Sequence, residues 1–199
     1  MLLVRELVLL VPEIPLKDQA LSLCIANNSL AVASALRVVR GKELQAGKRA
    51  LAKLTNGAAI AEYLNERHPE AQLWPADVAA RAQARSACAQ MHSGFFALRG
   101  AMPFDLARDE ALENVPLDVQ VDIDRIVALW SECRLAATAS GPYLFGELSL
   151  ADAFFAPVAV RLRTYRVDLP PAAAAYVEAI YQWPAFQAWQ QAGLAERVQ

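Results

Sequence analysis

The sequence predicts a mostly helical α+β protein, and three observations carry that reading. Of 199 residues, 56% are hydrophobic and only 8 are glycine, a composition that suits packed helices better than sheets and turns. From residue 55 onward, apolar residues recur at three- and four-residue spacing between caps and prolines. Before residue 55 the pattern changes: "LVRELVLLVPEIPL" is a branched apolar run stopped by Pro12 and Pro15, the signature of a strand. The length allows one domain or two small ones, with enough chain for a sizeable core.

The elements follow in order. "DQALSLCIANNSLAVA" is compatible with a helix weakened in its middle by Asn27-Asn28, and "ALRVVRGKELQ" with a hairpin turning at Arg40-Gly41. "TNGAAIAEYLNERHP" starts a helix with Thr55 or Asn56 as N-cap and stops before Pro69, with Ile60 and Leu64 on one face and Tyr63 beside them. "EAQLWPAD" is a linker in which Trp74 can anchor and Asp77 can cap the next helix. That helix is expected as one piece over about 77–100, with Ala80, Ala84, Cys88, Met91, Phe95 and Leu98 along one stripe. A polar loop holding Pro103 and Pro116 leads to a helix in which Ile123, Ile126, Val127, Trp130 and Cys133 fall on helical spacing.

The stretch "YLFGELSLADAFFAPV" starts a further helix. Ser149 and Asp152 stand three apart in front of a dense apolar run, the spacing of a capping box. The carboxylate also suits the positive end of the helix dipole. Pro157 inside this helix removes one backbone hydrogen bond and predicts a kink. Two shorter helices close the chain, one after Pro170-Pro171 and one around "PAFQAWQQAGLAER".

Totals exclude several classes. A formal charge of −2 and a pI near 5.7 give no basic face for nucleic acid. Cys24, Cys88, Cys133, His68 and His92 are widely spread, without CxxC or metal-ligand spacing, so neither a disulfide framework nor a metal site is expected. That cysteine usage suits a reducing, cytoplasmic setting. Arg5 and Glu6 interrupt the opening apolar run, which argues against a secretory signal. Residues 19–36 carry no charge and reach the minimum length of a membrane span, but Gln19, Asn27, Asn28 and three serines would be poorly solvated in lipid.

Four pieces in order resemble the glutathione S-transferase family: "TNGAAIAEYL", "LWPAD", "MHSGFFALRGAMP" and "GPYLFGELSLADAFFAPV". The resemblance covers about residues 55–196. It implies an incomplete thioredoxin-like N-terminal domain over 1–68, a linker over 69–76 and an all-α C-terminal domain over 77–199. It also implies glutathione as co-substrate, a small hydrophobic electrophile as second substrate, and a homodimer. The Ser149–Asp152 box then has a structural role, starting a buried helix at the centre of the all-α domain.

The chemistry implied is the presentation of a thiolate near neutral pH, where a free thiol of pKa near 8.5 is mostly protonated. Family members use a Ser, Tyr or Cys donor, a cis-proline loop, and an acidic residue followed by serine. This sequence departs from each: Asn56-Gly57 stands in place of the acidic-Ser pair, "SALRVVRGKEL" holds no proline, and the domain is short by one strand–helix unit. The backbone N–H groups of Asn56-Gly57 at a helix start still suit a carboxylate.

Two registers stay open. In one, "LVRELVLLVP" is the second strand and the donor helix is absent. In the other, "LSLCIANNSLAVASALRV" is the first strand and helix, with Ser29 or Cys24 near the donor position. Ser29 is the candidate thiol activator and equally a turn or cap residue. Cys24, among leucine and isoleucine, reads as a buried inert thiol.

For the second substrate the resemblance points to Met91, His92, Phe95, Phe96, Arg99 and Tyr165. Met and Phe offer an adaptable apolar wall, and Arg99 can neutralise an anionic group. Met91 and Phe95 fit helix packing equally, Arg99 can pair with Asp105, and His92 can be structural. Three functions compete: an active glutathione transferase, a non-catalytic glutathione-binding or protein-interaction module on the same fold, and a chain whose N-terminal region no longer reproduces the ancestral domain.

Overall fold

The structure is a computed structural model that describes residues 57–196. The expected strand, hairpin and first helix, and with them Cys24, Ser29, Thr55 and Asn56, lie outside the described residues. The chain divides into two compact units: residues 57–73 and 184–196 fall in one, Trp74–Trp183 in the other.

In the first unit, helix α1 spans Gly57–Arg67 and buries Ile60, Ala61 and Leu64, while Tyr63 stays half-buried. Pro69 cannot continue the helix and instead opens a 3-10 turn, Pro69–Ala71, that ends in left-handed Gln72. The last helix of the chain, Pro184–Glu196, belongs to the same unit. Phe186 and Trp189, one turn apart on it, bring their rings to 5.7 Å in a tilted arrangement.

The second unit is a helical assembly: α2 (Val78–Ser93), α3 (Phe96–Ala101), α4 (Leu117–Leu135), α5 (Leu150–Thr164) and α6 (Pro171–Gln182). Asp77 caps α2, accepting from the Ala80 N–H at 2.8 Å. Helix α5 is the core: every residue of it except Arg161 and Arg163 is buried. It packs against α2 and α6, and α4 packs against α2, α3 and α6. The small residues Ala80, Ala84 and Ala87 keep α2 thin on its buried face. Trp130 of α4 sets its ring edge-on to Phe155 of α5 at 5.9 Å and to Tyr176 of α6 at 4.6 Å, tying three helices together.

One element differs from expectation. The helix expected over 77–100 is two helices. Gly94, a poor helix former, is extended (φ −124°, ψ −169°), and Phe95 is left-handed (φ 59°). All six residues of the expected stripe are nevertheless buried. Apolar spacing read the burial correctly but not the backbone, because both helices put their apolar side on the same core.

The loop before α5 is built by glycine. Tyr143 and Gly146 exchange backbone hydrogen bonds at 3.3 and 3.1 Å. A Cβ on Gly146 (φ +85°) would stand 2.1 Å from the Ala139 carbonyl oxygen, and one on Gly141 (φ +150°) 2.1 Å from that of Gly146. From the end of α4, Arg134 donates to the carbonyls of Pro142 and Tyr143 at 2.9 and 3.0 Å. This hairpin-like loop delivers the Leu144 N–H to the start of α5.

Candidate functional site

The break between α2 and α3 creates the most chemically distinctive region of the second unit. Ending α2 at Ser93 frees its last carbonyls. Arg99, one turn into α3, reaches back through Nη2 to the carbonyl oxygens of Met91 and His92 and touches the Met91 Sδ at 3.4 Å. From α4, Asp122 accepts the Leu98 N–H at 3.0 Å and so satisfies a donor in the first turn of α3. Burial lowers the Arg99 pKa, and the nearby Asp122 charge partly offsets it. Of the residues the resemblance pointed to, Met91, His92, Phe95 and Arg99 therefore flank the α2–α3 break. Met91 and Phe95 are buried, His92 and Phe96 exposed.

Tyr165 follows α5 and is buried. Its hydroxyl donates to the Pro103 carbonyl at 3.2 Å, fixing the loop after α3 against the end of α5. The Arg108 guanidinium covers the Tyr165 ring at 4.6 Å. One turn before Tyr165, Arg161 donates from Nε to the Met102 carbonyl at 2.9 Å and from Nη1 to the Pro157 carbonyl at 3.0 Å. Its guanidinium lies over Phe104 at 5.5 Å. The Arg161 pKa is lowered to about 10, first by burial and then by the Arg99 charge. Sequence reasoning pointed to Arg99 and Tyr165 but not to Arg108 or Arg161. The signal for Arg161 was present: with Arg163 it is one of two cations in the last turn of an otherwise apolar helix.

The Ser149–Asp152 box is formed as expected. The Ser149 N–H donates to Asp152 Oδ2 at 2.8 Å, the Ser149 hydroxyl to the same oxygen at 3.1 Å, and the Leu144 N–H to Oδ1 at 3.0 Å. These three donors favour the carboxylate, but complete burial opposes them and wins, holding Asp152 near 6. The Tyr176 hydroxyl is close enough to couple to Asp152, yet it completes no hydrogen bond of regular geometry. Burial also pushes the Cys133 thiol up to about 12, with Glu132 and Asp152 adding to the rise, so this buried sulfur stays protonated at neutral pH.

Gly57 opens α1. Among the described residues, no group of three His, Cys, Asp or Glu side chains is placed to hold a metal ion, and no helix is long and apolar enough to cross a membrane.

Solved structures share this architecture. Three crystal structures of the maleylacetoacetate isomerase from Anaeromyxobacter dehalogenans 2CP-1 superpose over 87% of this chain and 89% of theirs at a TM-score of 0.52, with 26%, 26% and 25% identity. One holds dicarboxyethyl glutathione and citrate in its active site, and another holds GSH there. The chain has a glutathione S-transferase-like fold, and these likenesses support assigning it to that family. No family model and no curated protein matches its sequence. In this glutathione S-transferase-like fold, the capped α5 is the framework of the helical unit. The α2–α3 break and the end of α5 carry its half-buried cations.

Proposed function

We propose that the chain binds glutathione and transfers it to a small electrophile. The observation that supports this is the likeness, across 87% of the chain, to an isomerase whose active site holds GSH. In this reading Ser29 donates a hydrogen bond to the glutathione sulfur and Asn56-Gly57 receives a carboxylate at the start of α1. Met91, His92, Phe95, Arg99 and Tyr165 contribute to the second-substrate side. The thiolate sulfur forms a bond to the electrophilic carbon; the displaced electron pair leaves with the leaving group, or is protonated by water when the acceptor is an activated alkene. Each pKa unit by which the thiol is lowered requires about 1.4 kcal/mol of preferential anion stabilisation. A homodimer in a reducing compartment completes the reading.

A second reading has its own support, because the solved relative is an isomerase. There the same thiolate adds to an alkene and is eliminated again, returning glutathione and the geometric isomer.

Calorimetric titration of reduced glutathione near neutral pH tests both. One-site binding is expected, followed by conjugate or isomer in product analysis. No heat together with no thermal shift at millimolar glutathione would overturn both and favour a protein-interaction module on this fold.

A further inference from the structure

The apolar stripe Ala80, Ala84, Cys88, Met91, Phe95 and Leu98 is spaced for one continuous helix, yet the chain breaks in the middle of it. All six side chains are buried in the broken form, and their spacing would put all six on one face of an unbroken helix. Burial therefore does not choose between the two backbones. Local preference favours the unbroken one, because a left-handed phenylalanine weighs against the break by about tenfold.

The broken form is held by side chains that replace the helix's own hydrogen bonds. In an unbroken helix the carbonyls of Met91, His92 and Gly94 would accept from the N–H groups of Phe95, Phe96 and Leu98. Here α2 ends at Ser93, and Arg99 Nη2 donates to the Met91 and His92 carbonyls instead. The Leu98 N–H donates to Asp122 Oδ2 of α4 at 3.0 Å. Gly94 permits this exchange: a Cβ there would stand 2.8 Å from the Gln90 carbonyl oxygen, closer than a Cβ can approach. Just beyond α3, Arg161 and Tyr165 donate to the carbonyls of Met102 and Pro103 at 2.9 and 3.2 Å, which ties the segment to the end of α5. Local pattern and tertiary contacts thus ask for different backbones, and one set of hydrogen bonds substitutes for the other. Such a conflict is the physical basis of an element with two discrete arrangements.

We propose that Asp122, acting with Arg99, latches residues 94–101 in the broken form against an unbroken alternative, and is thereby a positioning residue for Met91, Phe95 and Arg99. That these three face the second substrate rests on the transferase reading; the latch does not. Every contact in it lies within the unit Trp74–Trp183.

Amide hydrogen exchange of the full chain, read residue by residue by NMR, tests the latch. Asp122→Ala removes the acceptor of the Leu98 N–H. Gly94→Ala brings a Cβ against the Gln90 carbonyl in the broken form and favours an unbroken helix by about fivefold. In both variants the Phe95 and Phe96 amides should become helix-bonded, and their exchange should slow by about tenfold or more. A change that merely loosens the structure speeds exchange at the same sites, so the sign separates the two. Asp122→Asn keeps an oxygen that can accept from Leu98 and should retain the unsubstituted rates.

The amides of the α5 core, Ala156 among them, report whether each variant folds. If Asp122→Ala does not, Gly94→Ala and Arg99→Gln, which releases the Met91 and His92 carbonyls, carry the test. Exchange at Phe95 and Phe96 that is unchanged or faster in the folded variants overturns the latch. So does exchange at these sites already as slow as in the middle of α2 in the unsubstituted chain. Asp122→Asn behaving as Asp122→Ala overturns the part given to the Asp122 hydrogen bond.

Glutathione is titrated in parallel, with benzylideneacetone as acceptor. Asp122→Ala and Gly94→Ala should raise the KM for benzylideneacetone by about fivefold or more while leaving glutathione affinity unchanged. An unchanged KM overturns the positioning role alone. Absence of glutathione binding overturns the transferase reading, and the exchange rates then decide the latch by themselves.

Discussion

Asp152→Ala tests how the core of the helical unit is held, and its pH dependence has an unusual sign. The carboxylate is fully buried and accepts from the Leu144 N–H, the Ser149 N–H and the Ser149 hydroxyl. The serine hydroxyl can rotate to another acceptor, but two buried backbone donors cannot. Orphaning them costs about 1–3 kcal/mol each, so removing the carboxylate should cost about 3 kcal/mol or more at pH 7.

A cap aspartate that is stabilised as the anion has a lowered pKa and contributes more as pH rises. Here burial outweighs the three donors and raises the group from its ordinary 3.8 to about 6. The folded state therefore binds a proton more readily than the unfolded state. Its contribution to stability is full below about pH 4 and is lost as pH rises through about 6. At about 1.4 kcal/mol per pKa unit the whole loss is about 3 kcal/mol, of which about 1 kcal/mol falls between pH 5 and pH 7. The cost of Asp152→Ala should thus be larger at pH 5 than at pH 7 by that amount. Urea unfolding of both proteins at the two pH values, followed by tryptophan fluorescence and far-UV circular dichroism, measures it. A cost that grows with pH would show that the hydrogen bonds outweigh burial and would refute the reasoning.

The remaining predictions concern other parts of the unit. Gly146→Ala places a Cβ at φ +85° against a backbone carbonyl, and should cost at least about 2 kcal/mol in the same denaturation assay. Tyr176→Phe removes a buried hydroxyl without a regular hydrogen bond, and should change stability by less than about 1 kcal/mol. Cys133, buried and held at about 12, should react with a thiol reagent only after unfolding, as read by mass spectrometry of the native and denatured chain. Ser29→Ala, under the proposed function, should raise the apparent pKa of the glutathione reaction in a pH–rate profile; an unchanged profile would remove Ser29 from that role.

The legible part of the sequence was the part written in periodicity and caps. Ser149 and Asp152, the Asp77 cap, the Pro69 stop and the residues Ile123, Ile126, Trp130 and Cys133 all take positions that local rules assign to them. The break at Gly94-Phe95 was not legible, because its stability comes from outside the helix. Arg99 holds the freed end of α2 through a contact eight residues away, and Asp122 supports the start of α3 from a residue 24 positions distant. For the same reason Arg99 was legible as a cation on a candidate surface but not as a helix cap. Arg161 was missed because the apolar run before it hides the two charges, Arg161 and Arg163, in the last turn of α5.

That blind spot bears on how function is arranged in this fold. The residues that local rules predict best, the box and the apolar faces of α2, α4 and α5, need only burial and capping. Any chain with this fold must satisfy those needs, so such residues identify architecture and say little about substrate. The residues that violate local rules are different: a left-handed Phe95, a helix broken in mid-stripe, and a half-buried Arg161 answered by carbonyls rather than a carboxylate. Each carries an energetic cost that the fold itself does not require. They converge on one short region, from Met91 to Arg108 and the end of α5. The arginines at this break and at the end of α5, rather than the apolar wall beside them, are therefore the informative place to begin with variants.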